Sequence, residues 1–230
     1  MSDEVLLVVL VSMVIGFVFY QYKNQQSRQL KFIEKYSFHP AIRSKLLKKH
    51  PDLKNEQLDL VFRGLRDYFY MCNRARRRMV SMPSQVVDDA WHEFILFTKT
   101  YQRFCRRAVG RFLHHTPAEA MRTPTLAQDG IKRAWRLACA KEGIDPALPD
   151  KLPLIFAIDG LLNIKNGFIY AADCKNSNSP HYGTGYCGSH IGCGGGCTGD
   201  SGAVTGDSGG FFDGLGGDGG SGCGGGCGGD

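Results

Sequence analysis

From Val5 to Tyr20 the chain carries no charge, and only Ser12 and Gly16 interrupt its apolar side chains. Such a run cannot be one face of an amphipathic helix, because it has no polar face to turn outward. Continued through Gln21 and Tyr22 it spans about 27 Å at about 1.5 Å per residue, close to the thickness of a bilayer core. A cleaved signal peptide fits poorly. Asp3 and Glu4 precede the run where lysine or arginine would be expected, and no small-residue cleavage site follows. The expectation is an uncleaved anchor over residues 5–22, in contact with lipid. Lys23, Arg28, Lys31 and Lys35 follow it and nothing positive precedes it. The positive-inside rule then sets the C-terminal body in the cytoplasm, at the inner membrane if the source is bacterial, and residues 1–4 outside.

After the anchor the spacing predicts helices. A polar joint at Gln21–Ser27 leads to a juxtamembrane helix ending near residue 36, and His39-Pro40 breaks it. A short helix over about 40–49 ends at His50-Pro51, and both histidines read as turn residues. A longer helix runs from about Asn55 to Arg78, with Leu58, Val61, Phe62, Leu65, Phe69 and Cys72 on one face. Thr123-Pro124 opens another, to about Glu142, burying Leu126, Ile131, Trp135, Ala138 and Cys139; Gly143 stops it. Leu154–Ile158 reads as a short helix. Asn166-Gly167, between two apolar triplets, is a hairpin signal. The fold class is thus mainly α: a transmembrane helix, an orthogonal helical bundle over residues 37–178 with room for one small hairpin, and a tail.

The residues with the most chemical content lie between Pro83 and Pro117. This stretch holds one of the two tryptophans and three of the seven histidines. Ser84 after Pro83 is a good N-cap, and Asp88 and Asp89 sit where a helix dipole favours negative charge. With no glycine or proline before Gly110, one helix is expected over about 84–109. Val87, Trp91, Phe94, Thr98, Tyr101, Cys105 and Ala108 form its buried stripe. Asp88 and His92 are four apart on a flank, so their side chains meet over one turn. A carboxylate there fixes the imidazole tautomer and raises the basicity of the far nitrogen, as a metal-binding or proton-transferring histidine needs. His114 and His115 follow the helix, before a new helix capped by Thr116 with Pro117 at its first position. Neighbouring residues point different ways, so only one of the two can face His92. Asp88, His92, His114 and His115 are therefore the candidate catalytic residues, with His92 and His115 the candidate ligands of an ion such as Zn. The plainer account is a local hydrogen bond and two ring-shaped plugs. Cys105, among aromatics, reads as a buried thiol.

The run Val87-Asp88-x-x-Trp91-His92-x-x-Ile95-Leu96-x-Thr98-x-x-Tyr101-x-x-Phe104-Cys105, then Gly110 and His114-His115-x-Pro117, resembles the glycine-rich domain-containing protein-like family of plants and bacteria. The resemblance covers about residues 35–175. Many members carry a second histidine two residues after the first, where this chain has Phe94. The resemblance implies little chemistry.

Two basic clusters stand out. Arg74, Arg76, Arg77 and Arg78 form the denser, and Arg103, Arg106, Arg107 and Arg111 the second. A solvated face near a membrane explains them, and so does binding to anionic lipid headgroups, which the anchor holds close by. No aromatic-basic motif of an RNA-binding module is visible, which weighs against nucleic acid. No protein partner can be named.

From residue 179 the composition turns to glycine, cysteine and aspartate. Of 30 glycines, 23 lie at or beyond residue 183. Ordering so many costs too much backbone entropy for the little apolar surface available, so a disordered tail is expected. Residues 183–230 carry a charge of −5 in a chain of net charge +6, so the rest carries +11. Cys187, His190, Cys193 and Cys197 fall within eleven residues, a donor set able to close a tetrahedral zinc shell if the thiols are reduced. Their glycine spacers offer no groups to orient such ligands.

The chain shows no phosphate loop, dinucleotide fingerprint or nucleophile elbow. The leading expectation is a non-enzymatic single-pass membrane protein presenting a helical interaction domain. The alternatives are a metal-dependent or acid–base enzyme using Asp88, His92 and His115, and a membrane-tethered metal-binding protein using the tail.

Overall fold

A computed structural model describes residues 3–115, 124–172, 186–188 and 191. Among them are seven helices: α1 (Asp3–Glu34), α2 (Pro40–Lys49), α3 (Asn55–Ala75), α4 (Gln85–Ile95), α5 (Thr98–Ala108), α6 (Pro124–Glu142) and α7 (Leu154–Leu161). Two short strands, β1 (Tyr170–Ala171) and β2 (Tyr186–Cys187), pair in parallel.

Helix α3 is the hub, packing against α1, α4, α6 and α7. The expected face of Leu58, Val61, Phe62, Leu65, Phe69 and Cys72 is buried. Tyr68, Met71 and Ala75 are buried as well, so more than one side of α3 meets the core. It ends at Ala75, three residues before the expected Arg78; Arg76 takes φ +59° and turns the chain away. The arginines that follow are solvated rather than helical.

Helix α1 has no joint. Residues 21–27 contain no glycine or proline, and solvated glutamine, lysine and asparagine continue a helix at little cost. The expected anchor and juxtamembrane helix are one rod with two environments. Val5, Leu7, Leu10, Met13, Ile15, Phe17 and Phe19 are all exposed, whereas Ile33 is buried. Leu7–Glu34 is long and apolar enough to cross a membrane by length and composition. The second half of the rod docks on the body. Asn73 of α3 donates through Nδ2 to Gln29 Oε1 (2.9 Å) and to the Ala108 carbonyl (2.7 Å). Beyond the helix, the Tyr36 ring lies 4.5 Å from Phe104 and Phe38 lies 5.2 Å from Phe94.

The helix expected over 84–109 is broken into α4 and α5. At the break the Phe97 amide bonds the Phe94 carbonyl (3.1 Å), a tightened turn, and Phe97 takes ψ +57°. Trp91 and Tyr101 would sit about 15 Å apart along a straight helix. The bend lets Trp91 Nε1–H donate to the Tyr101 hydroxyl at 3.1 Å. The stripe survives except at the bend: Val87, Trp91, Phe94, Tyr101, Cys105 and Ala108 are buried, and Thr98 is exposed.

The expected hairpin is also absent. The Ile164 amide bonds the Asp159 carbonyl and the Gly167 amide bonds Ile164, both at 2.9 Å. Phe168 N–H donates to the Asp159 carboxylate at 2.9 Å. A Cβ at Gly167 would come 2.8 Å from Asp159 Cβ, so the glycine is required by this close approach. The segment wraps around a buried carboxylate instead of folding back as a ribbon. The partner of β1 comes from residues 186–187.

Helices α2, α6 and α7 fall where the spacing predicts them, and Gly110 and Gly143 sit at helix ends with positive φ. The expected cap at Thr116, the side chain of Leu126 and nearly all of the glycine-rich tail lie outside the described residues.

Candidate functional site: two histidines and an aspartate

The site begins at the start of α4. Ser84 Oγ accepts from the Val87 amide (3.2 Å), as an N-cap should, and donates to Asp159 Oδ1 (2.7 Å). Asp159 also accepts from the amides of Gln85 (2.6 Å) and Val86 (3.2 Å). A buried carboxylate thus clamps the positive end of α4 with four donors, including Phe168. Asp89 faces α2: His50 Nε2 lies 2.7 Å from its Oδ2 and Lys49 Nζ 2.6 Å from its Oδ1. His50 is therefore a tie between helices and not only a turn residue. His39 caps α2, its Nδ1 accepting from Ala41 N–H at 3.1 Å.

One turn on, Asp88 faces outward toward the loop after α5. His115 Nε2 lies 3.1 Å from Asp88 Oδ1, and His92 Nδ1 lies 3.6 Å from Asp88 Oδ2. The two imidazole centroids are 4.2 Å apart. One donor atom from each of Asp88, His92 and His115 falls within 4.8 Å of the others. Asp88 and His115 are 20% and 17% exposed and His92 46%, so the cluster is walled on one side and open to water on the other. His114 turns away, its exposed ring 4.8 Å from Phe112. Of the two adjacent histidines, His115 meets His92 and His114 does not.

The loop bearing His115 is held from beneath. The Tyr101 hydroxyl, which accepts from Trp91, donates to the Leu113 carbonyl at 2.6 Å. The His115 ring packs edge-on to Trp91 at 4.7 Å. Trp91 thus anchors the loop from inside while its neighbour His92 meets the same loop outside. In this chain Trp91, His92, Tyr101 and His115 thus form one connected group.

The buried cysteines are poorly suited to chemistry. Burial pushes the Cys72 and Cys139 thiols up to about 12 and raises that of Cys105. All three are free, and Cys105 fits the expected buried thiol. Cys187 is buried and disulfide-bonded, so its sulfur is not an available thiolate, and the condition of reduced thiols on which the zinc shell depended is not met at this residue. His190, Cys193 and Cys197 lie outside the described residues.

The basic clusters converge in part. Arg111 Nη2 donates to the Arg76 carbonyl at 2.6 Å. An open groove of about 860 Å³ runs between α1 and the end of α3, lined by Tyr22, Gln25, Arg74, Arg76, Arg78 and Arg111 among others. The Arg76 guanidinium lies 4.8 Å over the Tyr22 ring. Arg103, Arg106 and Arg107 lie on the exposed side of α5, and Arg107 covers Phe32 at 4.4 Å. Sequence reasoning missed Asp159, the Asp89–His50 tie and Asn73. Each is a polar residue whose partner is far along the chain, so local spacing carries no sign of it.

Fold and site define a mainly helical protein with one candidate membrane-crossing helix and a half-open His-His-Asp cluster. The chain belongs to the UCP032817-like family, an uncharacterised family whose model matches residues 28–191. The match includes all three cluster residues and begins within α1, after the apolar run. No curated protein and no solved structure matches the chain significantly.

Proposed function

We propose that this is a single-pass membrane protein whose α1 carries a helical interaction domain at the cytoplasmic surface. The observation that carries the reading is the single unbroken rod, apolar over Val5–Tyr20 with exposed side chains from Leu7 onward, and docked on the body around Ile33. A rod of this kind fixes the body close to the lipid surface. The arginine groove then lies at headgroup depth, because Arg76 stacks on Tyr22 at the end of the apolar run. Arg74, Arg76, Arg77 and Arg78 supply the charge for anionic headgroups, each worth about 1 kcal/mol near such a surface. The reading includes orthogonal packing of the body, an unordered glycine-rich tail, and kinship with glycine-rich domain-containing proteins through the Trp91-His92 run.

Two measurements test it. The full chain should stay in the membrane pellet after an alkaline wash, and a C-terminal reporter should be active only on the cytoplasmic side. Release by the wash would remove the anchor, and a signal from the far side would reverse the orientation. The Cys187 disulfide makes the second measurement informative, since disulfides persist in oxidising compartments and are rare in a reducing cytoplasm. In nanodiscs, trypsin should cut after Arg74–Arg78 more slowly with anionic than with zwitterionic lipid. Equal rates would exclude headgroup binding.

A second reading, a metal-dependent or acid–base enzyme, draws support from the convergence of Asp88, His92 and His115. It requires first that the cluster bind an ion or a ligand.

A further inference from the structure

We propose that Asp88, His92 and His115 form a binding site for one divalent ion of the zinc class, with a coordination position left open to solvent. The inference is independent of the membrane reading.

Three observations carry it. The first is the donor set. Two imidazoles and one carboxylate suit zinc and its neighbours, whereas magnesium and calcium take oxygen ligands. The second is spacing. Ligands about 2.0–2.1 Å from a tetrahedral zinc lie roughly 3.3 Å from one another. His115 Nε2 lies 3.1 Å from Asp88 Oδ1 and His92 Nδ1 lies 3.6 Å from Asp88 Oδ2, so each imidazole is near that value from one of the two carboxylate oxygens. All three donors fall within 4.8 Å of each other, and the half-exposed His92 ring has solvent on one side into which it can turn. The third is support. Asp88 and His92 share one face of α4, whose start is clamped by Asp159. His115 comes from a loop fixed by the buried Trp91–Tyr101–Leu113 chain. Rigid support of this kind is what keeps donors in place before the ion arrives.

The open side follows from exposure. His92 is 46% exposed and His114 faces Phe112 instead of the cluster. Three protein ligands with water in the fourth position is the pattern of zinc sites that polarise a substrate or activate water.

The test uses the full chain in detergent. Cobalt(II) is the probe, because its visible bands report geometry and a sulfur-to-cobalt charge-transfer band reports thiolate ligands. One equivalent should bind without the charge-transfer band, and zinc should displace it. His92→Ala and His115→Ala should each weaken binding by about 100-fold or more, since even outer partners of a metal site cost about 10–100-fold. His114→Ala should change nothing. Replacing Cys193, Cys197, Cys223 and Cys227 by serine separates the tail from the cluster. Circular dichroism establishes that each variant folds, and His92→Ala removes an exposed ring that no buried group needs. The proposal is overturned if both histidine variants bind cobalt as the parent does. It is equally overturned if the only bound cobalt shows sulfur charge transfer and disappears with the tail cysteines.

Discussion

Asp159 shows how much one residue can organise. Its carboxylate takes four hydrogen bonds, from Ser84 Oγ and from the amides of Gln85, Val86 and Phe168. It thereby fixes the first turn of α4 and the loop after α7 together. Asparagine at this position keeps the shape but turns an NH₂ toward N–H and O–H donors. One or two buried donors then lack an acceptor, which costs about 2–4 kcal/mol. The denaturant midpoint of Asp159→Asn should fall accordingly; an unchanged midpoint would mean the clamp contributes nothing. The buried thiols give a prediction in pH. Cys72 and Cys139 ionise near 12 in the folded chain against an ordinary value of 9.0, chiefly because burial disfavours the thiolate. The unfolded chain therefore binds fewer protons above pH 9. Stability from these two thiols is intact below about pH 9 and is lost as the pH climbs from 9 toward 12. Below pH 9 neither thiol should react with iodoacetamide unless denaturant is present, and rapid labelling of the native chain would contradict their burial.

At the scale of elements, the α4–α5 corner is the junction on which the site depends. Nothing in the residues at 96–98 marks a break, since Leu96, Phe97 and Thr98 are all tolerated in a helix. The corner is set by what it brings together: Trp91 to Tyr101, and Phe94 to Phe104 with ring centroids 5.2 Å apart. These are tertiary preferences, and periodicity within one segment does not record them. The stripe of buried residues was legible for the same reason that the bend was not. Both halves obey the helical period, and only their relative direction depends on the rest of the fold. Asp88 and His92 were legible as a pair because four residues make one turn; the choice of His115 over His114 needed the path of the loop. Tyr101→Phe tests this coupling. It leaves the Leu113 carbonyl and the Trp91 N–H without their partner, a loss of about 1–3 kcal/mol. If that hydroxyl also positions the His115 loop, cobalt affinity should drop in the folded variant. A stability loss with unchanged affinity would show that the loop is held by other contacts.

For the whole molecule the distribution of charge matters more than its total. The first 182 residues carry +11 and the remainder −5. That asymmetry was plain in the sequence, but which arginines share a surface was not, because Arg111 reaches the end of α3 only through the loop after α5. All five acids of the second part lie within residues 192–230. If the arginine groove binds lipid as proposed, five aspartates on the same chain should compete with the headgroups for it, because opposite charges attract. Such an attraction is screened by salt and reaches roughly 10 Å at about 0.1 M. Deleting residues 192–230 should therefore increase protection of Arg74–Arg78 from trypsin in weakly anionic nanodiscs. The gain should shrink as salt rises to about 1 M, where the screening length falls to about 3 Å. Replacing the five aspartates by asparagine should reproduce the deletion, because the mechanism needs their charge and not the length of the chain. If the deletion acts and the asparagine version does not, the tail occludes the groove by bulk. If neither changes protection at low salt, tail and groove do not meet.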